Sequence, residues 1–143
     1  MIKWAAFAGI CVLLASQLHV KKSSTTTFDT MMNIAKQAAD LSNTDQGDSQ
    51  MVRRLYGLMP SDYDGVLLYC PKTNMGAEEL FLVRLKKPAQ EGEVMNAINR
   101  RLETQLASFN GYGVDQTEML EDSVTLSEGG YCLFYSGNDP QKV

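Results

Sequence analysis

The pattern of apolar and polar positions begins with an uninterrupted apolar run. Residues 4–15 carry no polar side chain, Lys3 precedes them, and Lys21 and Lys22 follow a few residues later. A basic residue before a short apolar run is typical of a secretory signal. Extended to residue 20, the run reaches 17 residues, which is at the lower edge of what a membrane-spanning helix needs.

Three interpretations fit this run, and each fixes a different compartment. We predict that residues 1–22 form an uncleaved N-terminal membrane anchor. A cleaved secretory signal is one alternative, although small residues are poorly spaced for cleavage, and a buried helix of a cytosolic protein is another. Cys11 follows Ile10 in the middle of the run, whereas a lipoprotein signal needs a small residue just before its cysteine. Lipidation is therefore disfavoured.

A polar tether and a first helix are predicted after the anchor. Residues 23–27 are polar and have no apolar periodicity, which is typical of a tether. Apolar residues then recur at spacings of three and four, which predicts a helix over residues 28–41 with Thr27 as its N-cap. The apolar stripe of this helix consists of Phe28, Met31, Ala35, Ala38 and Leu41.

A polar loop and a short second helix come next. Met51 and Leu55 share one face of this helix. Asp48 or Ser49 can cap its start, and Gly57 can end it in the left-handed conformation.

Two β-hairpins are predicted farther along the chain. Residues 65–70 form a continuous apolar run suited to a buried strand, and residues 79–86 alternate between two faces. The loop between these segments contains Gly76, which favours an antiparallel hairpin. A second hairpin is predicted around Gly129 and Gly130.

Two further helices are predicted between the hairpins. Apolar residues at steps of three and four predict a long helix over residues 94–109, with Arg100 and Glu103 on its solvent side. A short helix is predicted from about residue 115 to residue 121, with Asp115 as its cap.

Together these elements predict one α+β domain with the order ααββααββ. We expect residues 28–137 to form an antiparallel four-stranded sheet of two hairpins, with the helices packed on one face. Residues 138–143 are predicted to be a C-terminal tail. Roughly 120 residues follow the anchor, and that length is enough for one hydrophobic core.

Charge and histidine content exclude several classes of function. The net charge is −4, but residues 23–143 hold 10 basic and 17 acidic residues, which gives −7. Such a surface repels nucleic-acid phosphates, so nucleic acid is not an expected partner. His19 is the only histidine and lies beside the apolar run. A Ser-His-Asp or Cys-His arrangement in the domain is therefore excluded, as are the usual histidine-bearing zinc sites.

Several segments together resemble an uncharacterised protein family. They are LYGLMPSDYDGVLLY, EELFLVRLK, RLETQLASFNGY, VDQTEMLEDS and GGYCLFYSG. Over about residues 28–137 the chain is similar to the family called domain of unknown function 4358 (DUF4358). The resemblance implies a small exported or membrane-anchored protein of Gram-positive bacteria, a lipoprotein or single-anchor protein whose domain lies outside the cytoplasm. It implies no activity, and the lipoprotein signal is missing here.

The candidate ligand-binding residues are Arg101, Gln105, Tyr112 and Glu79. Arg101 and Gln105 are four residues apart on one flank of the long helix, where they can hydrogen-bond carbonyl or hydroxyl groups of a ligand. The alternative is a structural role, in which Phe109 completes the core stripe and Tyr112 covers the edge of the sheet.

Acidic residues near the first hairpin raise the hypothesis of carboxylate chemistry. Glu78 and Glu79 lie beside the start of one predicted strand, and Asp62 and Asp64 lie in a nearby turn. Two carboxylates can act as the acid and the nucleophile of a glycosidase, although acidic residues at strand and turn boundaries are common for structural reasons. The SDYDG segment lacks the remaining ligands of a calcium loop. We therefore expect no metal, no cofactor and no assigned catalytic residue.

Cys70 and Cys132 lie in different predicted strands. Outside the cell they can form a disulfide if the two strands are neighbours, and otherwise they are core thiols.

We predict a non-catalytic, membrane-anchored binding or accessory module of the bacterial envelope. Its expected partners are the membrane, through the N-terminal segment, and an envelope protein or cell-wall component. One alternative is a hydrolase or transferase that acts on envelope polymer through carboxylates such as Glu79 and Asp64. Another is a sensor or assembly subunit of a membrane complex, in which the anchor helix itself makes contacts.

Overall fold

The structure is a computed structural model that describes residues 25–137. The predicted anchor at residues 1–22 and the predicted tail at residues 138–143 lie outside the described residues. In chain order the elements are α1 (Thr25–Ala38), β1 (Thr44–Gln46), α2 (Ser49–Tyr56), β2 (Gly65–Pro71), β3 (Glu79–Arg84), α3 (Glu91–Phe109), α4 (Val114–Glu121), β4 (Val124–Glu128) and β5 (Tyr131–Ser136). Of the helices within residues 25–137, none combines the length and the apolar character needed to cross a membrane.

The strands form one antiparallel sheet with the order β1-β2-β3-β5-β4. Strand β3 is central, and all six of its residues are buried. Its register places Phe81 opposite Leu68 of β2 and opposite Phe134 of β5. The α+β class and both predicted hairpins are confirmed, because β2 pairs with β3 and β4 pairs with β5.

The sheet has five strands, so the predicted number of four is wrong. The additional strand, β1, has only three polar residues and pairs with the end of β2, with Thr44 opposite Pro71. A three-residue polar strand at a sheet edge has no room for an alternating pattern, and only its pairing with β2 defines it.

The helices cover both faces of the sheet, so the prediction that they pack on one face is also wrong. Helices α2 and α3 pack on the face that carries Phe81 and Val83. Helix α1 packs on the opposite face, over Leu80 and Leu82. The apolar residues on both faces of β3 are the reason, because a sheet with one face in water would alternate apolar and polar residues.

Helix α1 and strand β2 meet at a close contact. A Cβ atom at Gly65 would lie 2.5 Å from the ring of Phe28, so only glycine allows this approach without a shift. The ring of Phe28 also stacks on Tyr131, with 6.4 Å between the ring centroids. These contacts place the start of α1 at the end of the sheet where β2 begins.

The ends of the helices were predicted with mixed success. Asp48 accepts a hydrogen bond from the Met51 amide at the start of α2, and Gly57 ends this helix with φ of 67°, as predicted. Helix α1 begins at Thr25, so it includes part of the predicted tether, and Thr27 is not its N-cap. Helix α4 begins at Val114 after Gly113, and the predicted cap, Asp115, lies in its first turn instead.

Candidate functional site

The site is built around Glu79, a carboxylate buried at the start of the central strand. Only 1% of this residue is exposed, and its side chain lies on the sheet face covered by α2 and α3. A buried carboxylate is strongly destabilising unless a cation or several hydrogen bonds compensate the loss of water. The partners of Glu79 therefore decide what this region can do.

Arg101 of α3 is the cation that neutralises Glu79. Its Nε donates to Oε2 at 3.1 Å and its Nη2 donates to Oε1 at 2.8 Å. This two-point geometry fixes the orientation of the guanidinium as well as its position. Burial alone would lower the pKa of Arg101, but the hydrogen bond to Glu79 and its negative charge raise it. Arg101 therefore stays charged.

Tyr56 is the second partner of Glu79, and it comes from the last turn of α2. Its hydroxyl donates a hydrogen bond to Oε2 of Glu79. Its ring stacks on Phe81, with 3.8 Å between centroids and 11° between the ring planes. Burial raises the pKa of Tyr56 well above its usual value, and the negative charge of Glu79 raises it further. The hydroxyl is therefore a permanent donor at neutral pH.

An open depression lies above this network, between the end of α2 and the middle of α3. We call it the α2–α3 depression, and its volume is about 280 Å³. Its lining residues come from two helices and include two arginines but no carboxylate; they are Leu55, Tyr56, Gly57, Ala97, Arg100, Arg101 and Thr104. Side chains on two rigid helices hold such a surface in a fixed shape, which favours binding.

The predicted binding residues do not form one group. The structure brings Arg101 and Glu79 into contact, although no sequence pattern pairs them. Gln105 lies one helical turn beyond Arg101 and is half-buried, and it does not line the depression. Tyr112 follows the end of α3, is 61% exposed, and has its ring 6.1 Å from the ring of Phe109. Arg101 and Glu79 are thus the only predicted candidates that form a site within residues 25–137.

The carboxylates proposed for catalysis are widely separated. The amide of Asp64 donates to the carbonyl oxygen of Arg84, at the end of β3, whereas Glu79 is at its start. Five residues of strand separate these two positions, which corresponds to about 17 Å. Glycosidase carboxylates lie about 5 to 10 Å apart. The pairing of Glu79 with Asp64 is therefore wrong.

The other acidic residues of that hypothesis have structural contacts. Glu78 accepts a hydrogen bond from the side chain of Asn43 at 3.0 Å and from the amide of Ala77 at 3.1 Å. Asp62 lies in a short turn after α2. Within residues 25–137 no group of three histidine, cysteine, aspartate or glutamate side chains is placed to hold a metal ion.

Cys70 and Cys132 are free, buried thiols, so the possible disulfide between them is absent from this fold. Strand β3 lies between β2, which carries Cys70, and β5, which carries Cys132. A disulfide needs α-carbons within about 7 Å, and two strand spacings alone amount to nearly 10 Å. The alternative interpretation as core thiols is the one that agrees with the structure. Burial raises the pKa of both thiols.

Two residues beside Glu79 are not among the candidates predicted from the sequence. Tyr56 follows Val52 by four residues, so the apolar stripe of α2 could have indicated that it is buried. Ser136 lies opposite Glu79 in the pairing of β3 with β5, and its buried hydroxyl has no hydrogen-bond partner among the described residues. No local pattern identifies Ser136, because only the register of distant strands brings it beside Glu79.

One comparison with known proteins is informative. The family model described as a domain of unknown function (DUF4358) matches residues 37–137. The match includes every residue that lines the depression and excludes most of α1. Neither a curated protein nor a solved structure matches the chain significantly.

Proposed function

Since the chain belongs to the DUF4358 family, we propose that it is an extracytoplasmic, membrane-anchored binding or accessory module of the bacterial envelope. The apolar run at residues 4–15 supports the anchor, and the resemblance noted above supports the compartment. The proposed partners are the membrane, through residues 1–22, and an envelope protein or cell-wall component, through the α2–α3 depression.

The main support for a binding function comes from the hydrogen bonds that Glu79 accepts from Arg101 and Tyr56. Its two oxygens are occupied by Arg101 and Tyr56, so the carboxylate is neutralised and held in one position. A catalytic acid or base must come within hydrogen-bond reach of its substrate, whereas Glu79 is 1% exposed and both of its oxygens contact other side chains. The same arrangement stiffens the floor of the depression, which lowers the entropic cost of binding.

Crosslinking in the intact native host tests this proposal. A photoreactive residue at Thr104, on the depression, should capture an envelope protein or wall component that mass spectrometry can identify. Asn99 is the matched control, because it is also exposed on α3 but does not line the depression. Equal capture from both positions would contradict docking at the depression.

The compartment needs its own measurement. Fractionation should recover the chain with the membrane. Protease added to protoplasts, from which the cell wall has been removed, should digest residues 28–137. Recovery of the intact chain among freely diffusing cytosolic proteins would contradict the envelope function.

A further inference from the structure

The free edge of the Arg101 guanidinium identifies the class of ligand that the depression can hold. A guanidinium has a side edge, formed by Nε and Nη2, and an end edge, formed by Nη1 and the other hydrogen of Nη2. Glu79 occupies the side edge. Within residues 25–137 the hydrogen bonds of the Arg101 guanidinium come from Nε and Nη2, and no protein acceptor takes one from Nη1. Arg101 lines the depression and Nη1 is not among the buried, unpartnered side-chain atoms of the described residues, so this end edge is open to a ligand.

The charges around the depression favour a single negative charge. Arg100 lies on the same wall, is exposed, and has no ion pair or side-chain hydrogen bond to another described residue. The charge of Arg101 is balanced by Glu79, whereas nothing on the lining balances Arg100. The hydroxyl of Thr104 already donates to the carbonyl oxygen of Arg100, so the ligand's acceptors must be met by the two guanidinium groups.

We propose that the α2–α3 depression binds a singly charged oxyanion, a phosphodiester or a carboxylate, carried on a ligand of about the size of one sugar ring. Guanidinium groups bind such oxyanions with two parallel hydrogen bonds. A volume of about 280 Å³ is at the small end of ligand pockets, which sets the size of the bound unit. This inference rests on the proposed function for the location of the site and adds the chemistry of its ligand.

The net negative charge of the chain limits the attraction of an anion to the short range within the depression. Residues 23–143 carry a net charge of −7, which repels an anion at long range. Attraction by Arg100 and Arg101 acts only over the short distance within the depression. Affinity should therefore depend on the two-point hydrogen bonds more than on the overall charge of the ligand.

A binding titration on the full chain tests the proposal. The chain would be held in a neutral polyoxyethylene detergent and followed by proton–nitrogen correlation spectra. The probes are glycerophosphoglycerol as the phosphodiester, galacturonate as the carboxylate, and galactose as the neutral compound. We expect saturable shifts at the amides of Gly57, Arg101 and Thr104 with at least one of the two anions, and the anion that binds identifies the source of the oxyanion.

Two outcomes would overturn the inference. One is equal binding of galactose, because the arginines would then not be used. The other is the absence of saturable shifts around the depression at probe concentrations up to about 50 mM, far above the Kd of a weak specific site.

Two single-residue variants test whether Arg100 binds the anion without disturbing the folded structure. Arg100→Gln leaves the Glu79 network intact, and it should weaken the binding of the anion by at least about tenfold because a charge-assisted hydrogen bond is lost. Arg53→Gln is the matched control, since Arg53 is exposed on α2 and does not line the depression. Unchanged binding in Arg100→Gln, or an equal loss in Arg53→Gln, would contradict the proposal.

The two proposals can fail separately. If a residue at Thr104 captures an envelope component in cells while neither anion binds, the oxyanion inference is wrong and the envelope function stands. If an anion binds while fractionation places the chain in the cytosol, the envelope function is wrong and the oxyanion site stands.

Discussion

The two faces of the sheet differ in what holds them together. The face under α2 and α3 contains a buried carboxylate with a charged and a hydroxyl partner, in addition to its apolar core. The face under α1 is held by apolar and ring contacts, such as Phe28 on Tyr131. It also holds a buried cation, Arg84, whose Cζ lies 5.9 Å from the ring centroid of Tyr131. The DUF4358 match contains the first face and excludes most of α1.

This difference indicates that the two faces of the sheet have different roles. Hydrogen bonds to a buried charge need one geometry, whereas apolar contacts accept small shifts in packing. We therefore expect the α2–α3 face to hold a fixed surface, and α1 to act as an apolar cover for the other side of the sheet. Four kinds of substitution test whether the two faces differ in this way.

The largest effect is expected at Arg101. Arg101→Met leaves Glu79 buried without a cation, and removal of one partner from a buried ion pair costs about 3 to 5 kcal/mol. Urea denaturation followed by circular dichroism would measure the free energy of unfolding. A loss below about 1 kcal/mol would mean that Glu79 is not effectively buried.

An apolar replacement of the whole network is the control for that prediction. In Tyr56→Phe/Glu79→Leu/Arg101→Met no buried polar group of the network lacks a partner. Most of the lost stability should return, because apolar side chains of similar volume often replace a buried ion pair without loss. A triple variant as unstable as Arg101→Met would show that general packing, rather than the unpaired charge, explains the loss.

Equivalent truncations on the two faces test whether α1 is docked in solution. Met31 of α1 and Ile98 of α3 are both fully buried, and each change to alanine should cost about 2 to 5 kcal/mol. The same denaturation experiment compares them. If Ile98→Ala is costly while Met31→Ala changes stability by less than about 0.5 kcal/mol, α1 does not cover its face.

Alkaline pH should lower the free energy of unfolding, and Tyr56 on the α2–α3 face should contribute to this loss. Its pKa is raised in the folded state, first by burial and then by Glu79, so an unfolded chain loses this proton at a lower pH than the folded chain does. The stabilisation is complete below a pH of about 10 and is lost as pH rises further. The buried thiols of Cys70 and Cys132 act in the same direction from a pH of about 8.5.

The variant Tyr56→Phe distinguishes the contribution of Tyr56 to this alkaline loss of stability from that of the two thiols. The variant should lose about 1.5 to 3 kcal/mol at neutral pH, because a hydrogen bond to a charged group is removed. Its stability should also fall less steeply than that of the natural chain above a pH of about 10. Identical slopes in urea denaturation at several pH values would rule out a contribution of Tyr56 to the alkaline loss.

The smallest effect is expected at the start of α2. Asp48 caps the Met51 amide at 2.9 Å, and Asp48→Ala should cost about 1 kcal/mol. Asp48→Asn is the matched control and should restore most of this loss, because asparagine is an equally good N-cap. If thermal unfolding shows no difference between alanine and asparagine here, the cap does not position α2.

The sequence predicted the features that depend on neighbouring residues. Asp48 and Gly57 act on their own helix, and the alternation in β3 correctly assigned Leu80 and Phe81 to opposite faces. Strand β1 was missed because three polar residues become a strand only by pairing with β2. The position of α1 was wrong because an apolar stripe indicates that a helix packs, but not against which face.

The site was only partly predictable for the same reason. Arg101 and Glu79 were both named as candidates, but they are 22 residues apart and their contact depends on how α3 crosses β3. Tyr56 is 23 residues from Glu79, and nothing local to either residue indicates a hydrogen bond between them. Tyr112 was selected with Arg101, although the end of α3 directs the chain away and leaves it exposed.

The most direct test is the rate at which the Nε hydrogen of Arg101 exchanges with water, measured on arginine side-chain signals in nitrogen-resolved spectra. The exposed side chain of Arg100 is the internal reference. If Glu79 holds Arg101 as the floor of a fixed binding surface, the Arg101 signal should exchange at least about tenfold more slowly than that of Arg100. Equal exchange rates would contradict a fixed Glu79–Arg101 contact, and with it the account of the α2–α3 depression as a preformed site.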